Sequence, residues 1–166
     1  CVGSCEVEDC VSYGDVNCTS YNAGGIVGYA VESTGTTTIN RCAAYGSVSG
    51  VYSSGGIAGY VKCNDATCVI NVTNCGYFGD RVRCTGNNGA NGYSLAAGVC
   101  GWVQVTYGSV YLVNNVTRAN TYDTVSTYTT YPTKNNTMGG LIGLRPIIYM
   151  SAEGKMESLG TEKGRV

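Results

Sequence analysis

The chain has 166 residues, of which 43 % are hydrophobic and only 13 % are charged, with 25 glycines and 14 tyrosines. This composition excludes a disordered polyelectrolyte and is unlike that of helical proteins, so we expect strands and tight turns. The formal net charge is −1 without a basic stripe, which argues against binding to nucleic acid. No apolar run reaches the length of about 18 residues that a membrane span needs.

Four similar units follow one another along the chain. The first, residues 7–29, begins VEDCVSYGDV and ends GGIVGY, and the second, residues 39–60, begins INRCAAYGSV and ends GGIAGY. The third, residues 72–102, is looser: it begins VTNCGYFGD and ends AGVCGW. The fourth, residues 116–144, begins VTRANTYDTV without a cysteine and ends GGLIGL. A fixed period of this kind predicts a stacked repeat architecture.

The first halves of the units recur after 32, 33 and 44 residues, with extra length in residues 86–92 and 121–137. Insertions confined to one place per unit are typical of loops on a stacked scaffold. We therefore predict an all-β fold, a parallel β-helix or β-solenoid of about four repeats over residues 1–144, stabilised by disulfides. Residues 145–166 are richer in charge and form either a cap or a linker.

Aromatic residues recur at two positions of the unit, and stacking would place equivalent rings above one another at about the 4.8 Å strand spacing. We interpret both sets mainly as packing ladders. Glycine follows the first aromatic position at Gly14, Gly46 and Gly79, where a positive φ or a close backbone approach is expected. The first ladder is predicted to contain Tyr13, Tyr45, Phe78 and Tyr122, and the second Tyr29, Tyr60 and Trp102.

The second half of each unit resembles the GLUG repeat family, whose signature is glycine, an aliphatic residue, a hydrophobic residue and glycine. Residues 140–143 match it literally, residues 25–28 and 56–59 closely, and residues 98–101 more weakly. The resemblance implies a β-helical solenoid in secreted or surface-anchored proteins, where repeats serve as a stalk or a binding surface. Those repeats are usually poor in cysteine, and this chain departs from them in that respect.

Ten cysteines lie within the first 100 residues, a density that favours an oxidising compartment. The Cys-x4-Cys pairs could also suggest zinc, but without histidine or Cys-x2-Cys units we expect no metal or cofactor. Three cysteines share one register, so two of them on adjacent units could bridge; Cys63/Cys68 and Cys84/Cys100 are local candidates. The disulfide candidates are Cys1, Cys5, Cys10, Cys18, Cys42, Cys63, Cys68, Cys75, Cys84 and Cys100.

Two further sets of residues suggest surface functions. Four Asn-x-Ser/Thr sequons are candidates for N-glycosylation: Asn17, Asn71, Asn115 and Asn135. Four tyrosines outside the ladders are candidates for gripping carbohydrate or protein: Tyr107, Tyr111, Tyr128 and Tyr131.

Catalytic groups are scarce, because the chain has no histidine and few carboxylates. Asp15 and Asp80 share a predicted repeat position roughly 10 Å apart, near the carboxylate separation of inverting glycosidases, although aspartate after glycine is also a routine turn residue. We therefore predict no enzyme but an extracellular or cell-surface structural and adhesive solenoid that displays loops and glycans. Its partner would be itself, by end-to-end stacking, or a surface carbohydrate or protein. The alternatives are a carbohydrate-binding adhesin module and a polysaccharide-degrading β-helix.

Overall fold

The computed structural model describes residues 4–32, 34–86 and 94–119, together with the backbone of strands at 121–124, 136–139, 142–144 and 158–159. Regular structure in these residues consists of short β-strands, five to each coil of a solenoid. Within the same residues, no helix is long and apolar enough to cross a membrane. The predicted all-β fold with parallel strands is confirmed.

The first two coils have the same sequence of strand lengths, with long strands at each end and short ones between. Coil 1 contains β1 (Cys5–Glu8), β2 (Val11–Ser12), β3 (Val16–Asn17), β4 (Asn22–Gly24) and β5 (Val27–Glu32). Coil 2 contains β6 (Gly35–Asn40), β7 (Ala43–Ala44), β8 (Val48–Gly50), β9 (Ser53–Gly55) and β10 (Ala58–Cys63).

The next two coils repeat this order with longer connections. Coil 3 contains β11 (Cys68–Thr73), β12 (Gly76–Tyr77), β13 (Arg81–Cys84), β14 (Ser94–Ala97) and β15 (Cys100–Val105). Coil 4 contains β16 (Ser109–Val113), β17 (Val116–Thr117), β18 (Thr121–Thr124), β19 (Asn136–Gly139) and β20 (Ile142–Leu144). A last strand, β21 (Ser158–Leu159), pairs with β16.

Each strand pairs in parallel with its counterparts on the neighbouring coils, which produces five sheets running along the solenoid. Ile39 on β6, for example, pairs with Val7 on β1 and Val72 on β11. The offset between coils is therefore 32 and then 33 residues, as predicted. It rises from 34 at Cys84 to 42 at Leu95, which confirms that coil 3 carries its insertion between β13 and β14.

The predicted spacing of 44 residues to the fourth unit is wrong. Val72 pairs with Leu112, an offset of 40, and Val116 pairs with Gly76. The sequence comparison is wrong by four residues because the Val-Thr dipeptide of coil 4 comes four residues later in its coil than that of coil 3. The polar Asn115, and not Ala119, takes the place of the missing cysteine. Tyr122 consequently pairs with Val82 and does not belong to the first aromatic ladder.

A left-handed residue turns the chain between the first and second strand of every coil. Asp9, Arg41, Asn74 and Asn114 have φ values of 53° to 55°. Asparagine and aspartate tolerate this conformation better than other side chains, and Arg41 is held by hydrogen bonds of 2.7 Å to the Asp9 carboxylate below it. The glycine after the first aromatic position does not supply this corner.

Those glycines are required by close stacking. A Cβ on Gly46 would lie 2.1 Å from the Gly14 carbonyl oxygen, and one on Gly79 would lie 2.4 Å from the Gly46 carbonyl oxygen. Gly14, on the outermost described coil, has nothing within 4 Å of that position. The glycine at this position therefore makes room for the backbone of the coil stacked on it, and a positive φ is not the reason for it.

Inward-facing side chains from coils 2 and 3 form the centre of the core. Ile39, Val48, Ile57, Val72 and Val82 are at most 1 % exposed. Each such side chain contributes roughly 1.5–3 kcal/mol by leaving water. Their counterparts on coil 1 are only partly buried and pack against this core: Val7, Val16 and Ile26.

Candidate functional site

The second aromatic ladder lies on the outer surface of the solenoid. Tyr29, Tyr60 and Trp102 are in register on β5, β10 and β15, and their following residues, such as Val61, point into the core. The ring centroids are 4.9 Å and 4.7 Å apart. The predicted ladder is therefore confirmed, and its exposure is uneven: Tyr29 is 56 % exposed, whereas Tyr60, between its two neighbouring rings, is only 8 % exposed.

A second aromatic pair stands opposite this ladder. Tyr21 and Tyr52 precede β4 and β9, and their rings meet edge to face with centroids 5.1 Å apart. The backbone holds the pair, because the amides of Val51 and Tyr52 both donate to the Tyr21 carbonyl at 3.0 Å. The ladder is thus held by paired strands, and the Tyr21–Tyr52 pair is held by backbone hydrogen bonds between the bends that precede β4 and β9.

A groove of about 620 Å³ lies between the two walls. It is lined by Tyr21, Asn22, Gly28, Tyr29, Tyr52, Tyr60 and Trp102. The groove extends over coils 1 to 3, which corresponds to about 10 Å along the solenoid axis at the usual strand spacing. We call it the aromatic groove.

The last glycine of the repeat signature lies where neighbouring coils stack closely, directly before the aromatic residues of the ladder. A Cβ on Gly59 would lie 2.6 Å from the Gly28 carbonyl oxygen and 2.7 Å from the Ala23 carbonyl oxygen, closer than real side chains approach. A Cβ on Gly101 would lie 2.7 Å from the Gly59 and Ser54 carbonyl oxygens. The glycine thus lets the backbones of neighbouring coils approach closely, and the residue after it is the aromatic residue of the ladder.

The polar groups of the aromatic groove are neutral. The Asn22 Oδ1 accepts a hydrogen bond of 2.8 Å from the Ser53 hydroxyl, and the Tyr60 hydroxyl donates to the Gln104 side-chain carbonyl. None of the described residues that line the groove is charged. The site therefore offers ring surfaces, hydroxyls and amides, the groups that hydrogen-bond and stack on uncharged polar ligands.

Burial raises the pKa of the Tyr60 hydroxyl from 10.0 to about 12. The folded state holds this proton more tightly than the unfolded chain, so the associated stability is complete below pH 10 and lost as the pH rises to about 12. We expect Tyr60→Phe to reduce the alkaline loss of stability across this interval, measured by denaturant unfolding at a series of pH values. An unchanged pH dependence in the variant would contradict this assignment.

The tyrosines predicted to form a binding surface do not line the groove. Tyr107 is 50 % exposed in the turn before β16, and Tyr111 is half-buried on β16 beside Asn71. Tyr128 and Tyr131 lie outside the described residues. The groove was not predicted from the sequence because the ladder was assigned to packing. The recurrence of Tyr21 as Tyr52, one coil later, was the pattern that could have indicated a second aromatic wall.

The first ladder lies on another part of the surface. Tyr13, Tyr45 and Phe78 stack with centroid distances of 5.0 Å and 5.2 Å, as predicted. On coil 4 the position belongs to Arg118, whose guanidinium carbon lies 6.0 Å from the centre of the Phe78 ring. This cation–π contact covers the upper face of the ladder.

The disulfide predictions are partly confirmed. Cys63 and Cys68 are bonded across the turn between β10 and β11, and Cys5 is also in a disulfide. Cys1 lies outside the described residues. The other six candidates carry thiols: Cys10, Cys18, Cys42, Cys75, Cys84 and Cys100.

The candidate partners Cys84 and Cys100 are not bonded to each other. Cys84 ends β13 and its thiol donates to the Val51 carbonyl at 2.9 Å, whereas Cys100 begins β15 and is fully buried. The two residues lie in different sheets, a relation that the spacing of 16 residues in the sequence does not reveal. Burial raises the pKa of the Cys100 thiol, which disfavours the reactive thiolate.

The four sequons differ in accessibility. Asn17 is exposed on β3, and Asn71 is half-buried on β11. The Asn115 amide accepts from the Cys75 backbone N–H at 2.9 Å and donates to the Val72 carbonyl at 2.7 Å, so its nitrogen already has a partner. Asn135 lies outside the described residues.

The carboxylates considered for catalysis do not line the aromatic groove. Asp15 accepts a hydrogen bond of 2.7 Å from the Ser47 backbone N–H, a turn-stabilising role. Asp80 lies just before β13, where the offset between coils changes from 33 to 34 residues. In the described part of the chain, no three cysteine, aspartate or glutamate side chains are grouped to hold a metal ion.

Comparison with known proteins finds no matching family model, no similar curated protein and no similar solved structure. The resemblance to GLUG repeats therefore stays a prediction that rests on the four glycine signatures.

Proposed function

We propose that this chain is an extracellular adhesive solenoid that binds uncharged carbohydrate in the aromatic groove. The observation that supports this proposal most directly is the groove, which is lined by five aromatic rings together with Asn22 and Gly28, with no charge among the described lining residues. Aromatic rings cover the apolar faces of sugars, and neutral amides and hydroxyls exchange hydrogen bonds with sugar hydroxyls.

The scaffold supports this proposal, because binding sites on sheets are held more rigidly than sites on loops. The ladder wall belongs to three stacked coils whose strands pair in register. A short oligosaccharide would therefore meet rings that are already in place, which lowers the entropic cost of binding. The disulfide between Cys63 and Cys68 is consistent with the oxidising compartment that an extracellular protein passes through.

A glycan array probed with this 166-residue chain tests this function. We expect binding to uncharged glycans that changes little with salt, since no formal charge would be screened in the site. Retention of acidic glycans only, with a steep salt dependence, would contradict the proposal, and so would the absence of binding to any glycan.

A second candidate function, end-to-end assembly, is favoured by a different observation. Val7 and Val16 on coil 1 are partly buried, whereas Ile39 and Val48 at the same positions of coil 2 are at most 1 % exposed. β1 to β5 also form one edge of their sheets in the described structure. A further coil, for instance from a second copy, would pair with this edge and complete the burial.

A further inference from the structure

Three of the thiols form a vertical column along the solenoid. Cys10, Cys42 and Cys75 each stand one residue before their second strand, and those strands pair in register. Neighbouring strands lie about 4.8 Å apart, within the separation of about 4.4–6.8 Å between Cα atoms that a disulfide spans. The backbone holds the column in place, because the Ala43 amide donates to the Cys10 carbonyl and the Gly76 amide donates to the Cys42 carbonyl, each at 2.9 Å.

Accessibility distinguishes the two possible bonds. Cys10 is exposed, whereas Cys42 and Cys75 are each 1 % exposed. Burial also raises the pKa of the Cys42 thiol, and that of the Cys75 thiol to about 11, so these two are poor nucleophiles at neutral pH. Only Cys10 presents its sulfur to a reagent in solution.

We propose that Cys10 and Cys42 form a reactive dithiol site that is converted to a disulfide by low-molecular-weight disulfides. The Cys10 thiolate attacks one sulfur of the reagent, forms a mixed disulfide and releases one reagent thiolate. The Cys42 thiol, held beside this mixed disulfide by the paired strands, then loses its proton to solvent, attacks the Cys10 sulfur, forms the Cys10–Cys42 bond and releases the second reagent thiolate. The protein loses two electrons and two protons, and the reagent disulfide gains them as two thiols.

The bond would fasten coil 1 to coil 2 and leave Cys75 as a thiol. The core residues of coil 1 are less buried than their counterparts on coils 2 and 3, and coil 1 supplies Tyr21 and Tyr29 to the aromatic groove. A covalent link that closes a loop of this length restricts the unfolded chain and opposes fraying of the outer coil. Asn115 takes the cysteine position on coil 4, so the column ends at Cys75.

Tryptic mapping identifies the bond, because cleavage after Arg41, Lys62 and Arg81 separates the three cysteines into residues 1–41, 42–62 and 63–81. The full-length chain is incubated with oxidised glutathione, its thiols are trapped by alkylation, and the unfolded protein is digested without reduction. We expect residues 1–41 to be linked to residues 42–62, in which Cys42 is the only cysteine. A link between residues 42–62 and 63–81, or an alkylated Cys42, would overturn the proposal.

Cys18 provides the matched control, since it lies on the same coil and its neighbour on coil 2 is Gly50. We expect Cys10→Ser to abolish the linked peptide and Cys18→Ser to leave its yield unchanged. A link that persists in Cys10→Ser would assign the bond to another cysteine and overturn the proposal.

Discussion

Replacing Tyr29 with alanine is expected to weaken glycan binding by about tenfold or more, with little change in thermal stability. Tyr29 ends the stacked ladder, and more than half of its surface is exposed within the aromatic groove. A ring in this position keeps much of its surface exposed after folding, so most of its contact area is available to a ligand. The dissociation constant, measured by titration calorimetry with a glycan selected on the array, gives the effect.

Tyr13→Ala is the matched control, because Tyr13 ends the other ladder and is 76 % exposed. This variant removes an equivalent surface ring outside the groove, so its affinity should equal that of the unchanged chain. Equal losses in both variants would indicate a nonspecific contribution of surface aromatics and would contradict the assignment of the groove.

Gly46→Ala is expected to destabilise the fold by about 3 kcal/mol or more, whereas Gly14→Ala should change stability by no more than about 0.5 kcal/mol. The two glycines occupy the same repeat position. A methyl group on Gly46 would lie 2.1 Å from the Gly14 carbonyl oxygen, and relief of this contact requires the two coils to separate. Gly14 has no neighbour at that point. Denaturant unfolding of both variants measures the difference.

A pair of variants with equal stability would contradict the stacking of coil 2 on coil 1.

The same Gly14→Ala variant also tests assembly, since a further coil placed on coil 1 would approach Gly14 as coil 1 approaches Gly46. We expect any filaments formed at high concentration to be lost in Gly14→Ala. Filaments that form equally well would show that this end is not their contact surface.

The solenoid could be predicted from the sequence because the requirements of stacking are repeated in it. A glycine recurs wherever one backbone meets the next, as at Gly46 and Gly79, and apolar residues recur wherever side chains meet in the core. The in-register aromatic residues follow from the same periodicity. These constraints are local to the unit, so comparison of the units recovers them.

The register of coil 4 could not be predicted in this way, because a residue of a different type makes the hydrogen bonds at the position of the cysteine. Asn115 stands where the other coils have cysteine and bonds to the backbone of coil 3. A comparison that looks for an apolar or sulfur-containing residue there selects Ala119 instead. The pairing of Val116 with Gly76 is visible only when the strands are placed.

The aromatic groove and the cysteine chemistry depend on which face of the coil a residue occupies. Tyr21 and Tyr29 are eight residues apart in sequence, and only the bend between β4 and β5 makes them opposing walls. Likewise, Cys84 and Cys100 are near in sequence but belong to different sheets. Periodicity predicts which residues stack, whereas the corners of the coil decide which stacks face each other.

The most direct test of carbohydrate binding uses Trp102, the only tryptophan in the chain, which lines the aromatic groove. Its indole N–H gives a single resonance in a nitrogen-15 correlation spectrum, which can be followed while an uncharged oligosaccharide from the array is added. We predict a saturable shift of this resonance with the dissociation constant found by calorimetry. Binding that leaves the Trp102 resonance unmoved would place the glycan elsewhere and contradict the account.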